Sequence, residues 1–171
     1  MVAQRTLTPY VPVRLRQGLL IGGKMKLYTS YWARVKNFPK NLVALSTVVW
    51  EPKWYKVGGM DKNGIISLRC PPLRPGKTCD GLCNGKCNPK HPNDCAFLRE
   101  YHKQLDALDF DKFMQNLHTL HDKICKNEQL DDIDFAFIFF EKYDNPCSER
   151  WPVQDWLRAH GAKIEEWHPN I

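Results

Sequence analysis

The sequence predicts an α/β domain, with a mainly parallel sheet and helices packed on it. Three observations carry this. The best strand segments are continuous apolar runs rather than alternating ones, as strands covered on both faces require. The helical segments place their apolar residues at helical spacing. In the second half of the chain strands alternate with helices, which suits parallel pairing because each crossover has room for a helix.

Taken in order, residues 26–30 (KLYTS) read as a short strand. Residues 42–49 (LVALSTVV) are continuous and rich in β-branched side chains, a strand buried on both faces. Residues 64–69 (GIISLR) form a weaker strand. A helix over 96–108 puts Phe97, Leu98, Tyr101, Leu105 and Leu108 on one face, with Asn93 or Asp94 as its cap. A second helix, over 110–126, lines up Phe110, Phe113, Leu117, Leu120 and Ile124, with Asp109 as its cap. Residues 135–140 (FAFIFF) are apolar throughout and predict the central strand. A helix over 150–160 tolerates Pro152 because it falls in the first turn, and Gly161 stops it. Residues 163–167 (KIEEW) predict a last, edge strand.

Residues 1–24 stand apart. They hold Arg5, Arg14, Arg16, two prolines and the Gly22-Gly23 pair without a clear period. They read as an N-terminal extension, disordered or loosely packed, before a single domain over 25–171. No run approaches the ~20 apolar residues of a membrane helix. The run over 18–23 is too short for a signal-peptide core, so the expectation is a cytoplasmic protein that does not enter a membrane. Seven cysteines, an odd number, argue against a secreted disulfide framework. The net charge of +6 permits a nucleotide or nucleic-acid partner without demanding one.

Residues 70–95 (CPPLRPGKTCDGLCNGKCNPKHPNDC) are dense in proline and glycine and poor in large apolar side chains. Burial alone does not order so long a loop, whereas a metal does. Cys79, Cys83, Cys87 and Cys95 are spaced C-x3-C-x3-C-x7-C, and four thiolates close a tetrahedral zinc site or hold an iron–sulfur cluster. The spacing does not choose between a zinc ion and a cluster. Gly81 and Gly85 allow a tight wrap, and Cys95 falls at a helix start, where the dipole favours a thiolate. Between Arg74 and Lys103 six Lys or Arg face three Asp or Glu, a surplus that offsets anionic sulfur. His91 and Cys70 are substitute ligands, or else a solvated histidine and a packed thiol. Cys125 lies beside the apolar face of its helix and reads as core.

Ligands of open parallel sheets bind beyond the carboxyl ends of the strands. Polar groups gather in sequence at such ends: Thr29, Ser30 and Tyr31, then Ser46 and Thr47, Glu141, and the segment from Cys147 to Arg150. A thiol at Cys147 would meet helix N–H groups and the positive end of the dipole. Arg150, one turn in, is placed to hold an anion with two hydrogen bonds.

The stretch Tyr28-Thr29-Ser30-Tyr31-Trp32-Ala33-Arg34, followed by Pro39, resembles the opening of the family called domain of unknown function 488, in its bacterial and phage subgroup. Phe140-Glu141-Lys142, then Pro146-Cys147-Ser148-Glu149-Arg150, Asp155-Trp156-Leu157 and Gly161, resembles that family's closing motif. The resemblance runs from about Met25 to Trp167. It implies a single Rossmann-like three-layer domain with a shared polar pocket. The usual motif there is Cys-His-Arg. This chain has no histidine at that place and carries one extra residue, and its cysteine-rich loop is an addition to the family's common core.

Two functional readings follow. In the first, an enzyme acts on a nucleotide-like or phosphate-bearing substrate. Cys147 serves as nucleophile or acid–base thiol, Glu141 as proton acceptor and Arg150 as anion clamp, with Thr29, Ser30, Tyr31 and Ser46 lining the site. In the second, a metal-stabilised module binds nucleic acid or a protein without catalysis. There Lys77, Lys86, Lys90 and Arg99 supply charge, and Trp50, Trp54 and Tyr55 either stack on bases or belong to the core.

Overall fold

The computed structural model describes residues 25–83 and 94–170. The predicted N-terminal extension, Cys87 and His91 lie outside the described residues. Among those described, the sheet has six strands: β1 (Leu27–Tyr31), β2 (Leu42–Ser46), β3 (Gly59–Met60), β4 (Ile66–Arg69), β5 (Asp134–Phe139) and β6 (Ile164–Glu166). Their spatial order is β3-β4-β2-β5-β1-β6. Every pairing is parallel except β3 with β4. The run over 135–140 is the central strand, flanked by β2 and β1 as its unbroken apolar character requires. β6 is the predicted edge strand, on β1.

Four helices accompany the sheet: α1 (Trp32–Val35), α2 (Ala96–Asp106), α3 (Phe110–Glu128) and α4 (Arg150–Ala159). Asp109 caps α3 as expected, accepting a hydrogen bond from the Lys112 amide at 3.0 Å. The start of α2 differs from expectation. Cys95 holds the cap position with no side-chain bond, and Asp94 precedes it. α4 ends at Gly161, whose φ of +85° is open to glycine and strained for other residues.

Two cores lie on opposite faces. Val43, Leu45, Phe135, Phe137 and Phe139 meet residues of α2, α3 and α4, including Tyr101, Phe113, Val153 and Trp156. On the other face Leu42, Ala44, Ala136 and Ile138 meet Trp32 and Val35 of α1 together with Phe38 and Val57. Successive residues of one strand feed opposite cores, which is why the strands read as continuous apolar runs. Burying one such phenylalanine contributes about 1.5–3 kcal/mol.

The topology fixes where a site can form. The chain leaving β1 turns into α1 on one face, and the chain leaving β2 returns Val57 to that same face. The chain leaving β5 goes to α4 on the opposite face. The carboxyl end of β5 is therefore the switch point of the sheet, with its crevice toward β1 and β2. Among the described residues no helix is long and apolar enough to cross a membrane.

Candidate functional site

Arg150 occupies the switch-point crevice itself. Its residue exposure is 0%, and the guanidinium lies over the Phe139 ring at 5.6 Å. Nη2 donates to the Ser30 carbonyl at 3.2 Å and to the Glu141 carbonyl at 2.9 Å, and Nη1 donates to the Lys142 carbonyl at 2.8 Å. Nε lies 2.9 Å from Glu166 Oε2, but the N–H is not aligned on it, so the contact is an ion pair rather than a hydrogen bond. Burial pulls the Arg150 pKa down, and Glu166 and Glu141 act against that. The expected anion clamp is thus corrected. Arg150 spends its donors on the chain that leaves β1 and β5, and ties β6 to both.

The same network claims Thr29. Its hydroxyl donates to Glu166 Oε2 at 2.7 Å and accepts from Gln154 Nε2 at 2.7 Å. Thr29 is fully buried, which removes it from direct contact with a ligand. Arg34 extends the network. It donates to the Trp167 carbonyl at 2.6 Å, lies 3.6 Å from Glu166 Oε1, and sits over the Tyr31 and Tyr143 rings at 4.9 and 4.8 Å. Tyr31 is therefore one wall of a cation–π stack. Ser30 and Ser46 stand level with Ile138, one on each side of β5. Both hydroxyls are buried without a hydrogen-bond partner among the described residues, whereas Thr47 donates to the Ile138 carbonyl at 2.8 Å.

Beyond β5 the chain builds an acidic turn. Ser148 Oγ donates to Glu141 Oε2 and accepts from the Arg150 amide, each at 3.2 Å. Ser148, rather than Cys147, takes this amide at the start of α4. The half-buried Cys147 instead donates its own amide to Asn145 Oδ1 at 2.9 Å. Glu149 lies close to Glu141, and burial, then the Glu141 charge, raises its pKa to about 7. The nearby Glu141 charge thus favours the protonated form of Glu149 near neutrality. Glu149 was not among the expected site residues. The available signal was the extra residue in Cys147-Ser148-Glu149-Arg150, which puts a second acid across one turn from Glu141.

Of the four expected thiolates, Cys79, Cys83 and Cys95 lie among the described residues and Cys87 does not. Cys79 is 2% exposed and belongs to the core with Cys70, Leu73 and Tyr101, and burial raises its thiol pKa. Cys70 is packed beside it, its thiol pushed up by burial to about 12. Cys83 is exposed and Cys95 half-buried. Among the described residues no three of His, Cys, Asp and Glu gather as a metal site. Cys125, expected in the core, is half-buried against it, with Sγ 3.9 Å from His121 Nε2. His121 also contacts Asp132 at 2.7 Å and Asp122 at 3.0 Å.

The tryptophans of the β2 connection are the outward feature of this edge. Trp50 is 83% exposed and Trp54 68%. Their backbone is held from both sides. Glu51 takes two hydrogen bonds from Arg69, at 2.7 and 2.8 Å, and Arg74 donates to the Val49 carbonyl at 2.8 Å. Pro52 is buried, and Tyr55 packs on Trp32 with ring centroids 5.1 Å apart. Tyr55 is thus a core anchor, while the tryptophans face solvent with exposed Lys53 and Lys56 between and beside them. On the neighbouring strand end Phe140 is 62% exposed, next to exposed Lys142 and Tyr143.

No family model, curated protein or solved structure matches the chain. The likeness of the two motif stretches to domain of unknown function 488 rests on the motif residues alone.

Proposed function

We propose that the protein binds single-stranded nucleic acid along the carboxyl edge of its sheet. The observation that carries this reading is the exposure of Trp50 and Trp54 on a segment braced by Arg69 and Arg74. Folding gains nothing from two indoles left in water, and exposed aromatic surface of this kind marks an interaction site. Lys53 and Lys56 beside them, and Lys142 beside Phe140, supply the charge that a phosphate backbone meets. Bases stack on such rings with little regard to sequence, each contributing about 1–3 kcal/mol by alanine substitution. The test is fluorescence anisotropy of a labelled oligothymidine at low and moderate salt. Saturable, salt-sensitive binding supports the reading, and no binding at low salt removes it.

A second reading, acid–base chemistry on a phosphate-bearing or nucleotide-like substrate, is favoured by the Glu141–Glu149 pair. A carboxyl that titrates near pH 7 is matched to proton transfer at neutral pH. In this reading Glu149 supplies the proton, Glu141 orients it through Ser148, and Cys147 is the thiol of the same turn. Any turnover of an oligonucleotide or nucleotide should then be lost in Glu141→Gln, and survival of that turnover refutes the assignment. A zinc ion or iron–sulfur cluster at the cysteine loop rests on spacing alone, and neither reading uses a step through it.

A further inference from the structure

A second opening lies away from the tryptophan edge, between α2 and α4 on the helical face. Its volume is about 550 Å³, within the usual range for small-molecule sites. The apolar part of its lining comes from Leu98 of α2, from Pro146, and from Trp151 and Pro152 in the first turn of α4. The indole of Trp151 is held in place, since its N–H donates to the Asn145 carbonyl at 2.7 Å.

Two carboxylates complete this wall, Asp144 and Asp155. Asp155 stands four residues after Trp151, on the same side of α4. Neither carboxylate takes a hydrogen bond or ion pair from any described residue, although the chain carries a net charge of +6. The opposite wall brings His102 and a single guanidinium, Arg99, which already has a contact of its own. Two unpaired carboxylates beside a fixed indole and an apolar wall form a setting for a cation. A positive charge near the ring face gains from the indole quadrupole, and the carboxylates neutralise it.

We propose that the α2–α4 cavity is a binding site for a small organic ammonium with an apolar body, its charge set between Asp144, Asp155 and the Trp151 ring. The inference goes beyond nucleic-acid binding, because the cavity lies on the face opposite the 47–58 connection.

The probes are benzyltrimethylammonium, the uncharged benzyl alcohol of similar ring size, and benzoate. Titration of the full chain, followed by amide chemical shifts, should show saturable binding of the ammonium with shifts at Leu98, Trp151 and Asp155. The alcohol should bind at least fivefold more weakly and benzoate not at all. Asp144→Asn with Asp155→Asn, both at exposed positions, should weaken ammonium binding about tenfold and leave oligothymidine affinity unchanged. Equal binding of all three probes, shifts confined to other residues, or an undiminished affinity in the double variant would each overturn the assignment.

Discussion

Arg150 Nη2 and the Ser30 carbonyl lie 3.2 Å apart, joining the first turn of α4 to the carboxyl end of β1. The same nitrogen reaches the Glu141 carbonyl at 2.9 Å, so one guanidinium bridges the chains that leave β1 and β5. The place where parallel sheets most often receive a ligand is filled here by an internal cation. Ligand recognition is accordingly pushed outward, to the rings and lysines that rise above that edge.

Replacement of Arg150 by Met should therefore act on stability. The change leaves Glu166 without its closest cation, with Arg34 3.6 Å away, and frees three carbonyls from their donor. Breaking a buried pair of this kind costs about 3–5 kcal/mol. Urea unfolding of Arg150→Met should show a loss of that size, with Glu166→Gln in the same chain restoring part of it. A variant as stable as the parent would show that Arg150 is not a brace.

The raised pKa of Glu149 gives stability a definite pH slope. Glu149 has a folded pKa of about 7 against an ordinary carboxyl value of 4.5. Its contribution is fully present below pH ~4.5 and is lost as pH rises through ~7, because the folded state must then carry a buried second carboxylate. At ~1.4 kcal/mol per unit the difference is at most about 3.5 kcal/mol, less what solvent screening removes from a half-buried side chain. Glu149→Gln should leave the denaturation midpoint at pH 5 nearly unchanged and raise it at pH 8. Part of the slope should survive in the variant. Burial lowers the His121 pKa, but hydrogen bonds to Asp132 and Asp122 outweigh it and raise the net value, so its ion pairs are also lost as pH rises. A midpoint shifted equally at both pH values would contradict a raised Glu149 pKa.

Cys79 separates the core reading from the metal reading. In the core, Cys79→Ser places a hydroxyl among Leu73, Tyr101 and Cys70, at a cost of about 1–3 kcal/mol. That cost should be the same with and without a chelator. If Cys79 were a metal ligand, a chelator would destabilise the parent and leave the variant with nothing further to lose.

Much of the fold was legible in the chain. The unbroken run at 135–140 identified the central strand because both of its faces are covered, and Asp109 and Gly161 marked the ends of α3 and α4 through their own local chemistry. β3 escaped because Gly59-Met60 is two residues long and pairs at an exposed edge, so no burial pattern records it. The site was legible only in part. Thr29, Glu141, Cys147 and Arg150 do come together at one edge, but their spacing does not reveal which polar groups face inward. Arg150 and Thr29 are consumed by Glu166 and Gln154, residues distant in sequence that only the folded sheet brings alongside. The cysteine spacing does not reveal that Cys79 is buried, because a thiol is equally at home in an apolar core and in a metal site. Trp50 and Trp54 were open to both readings, since a tryptophan's identity does not tell a core ring from an exposed one.

The central claim is that Trp50 and Trp54 form a platform for single-stranded nucleic acid. The most direct measurement is the affinity of Trp50→Ala with Trp54→Ala for a labelled oligothymidine, compared with the parent at one salt concentration. Two lost stacking contacts at ~1–3 kcal/mol each predict a drop of at least tenfold, with only a small change in the unfolding midpoint, because Trp50 is 83% exposed and Trp54 meets only the Tyr55 ring, edge-on at 6.3 Å. An affinity equal to the parent's would contradict the account.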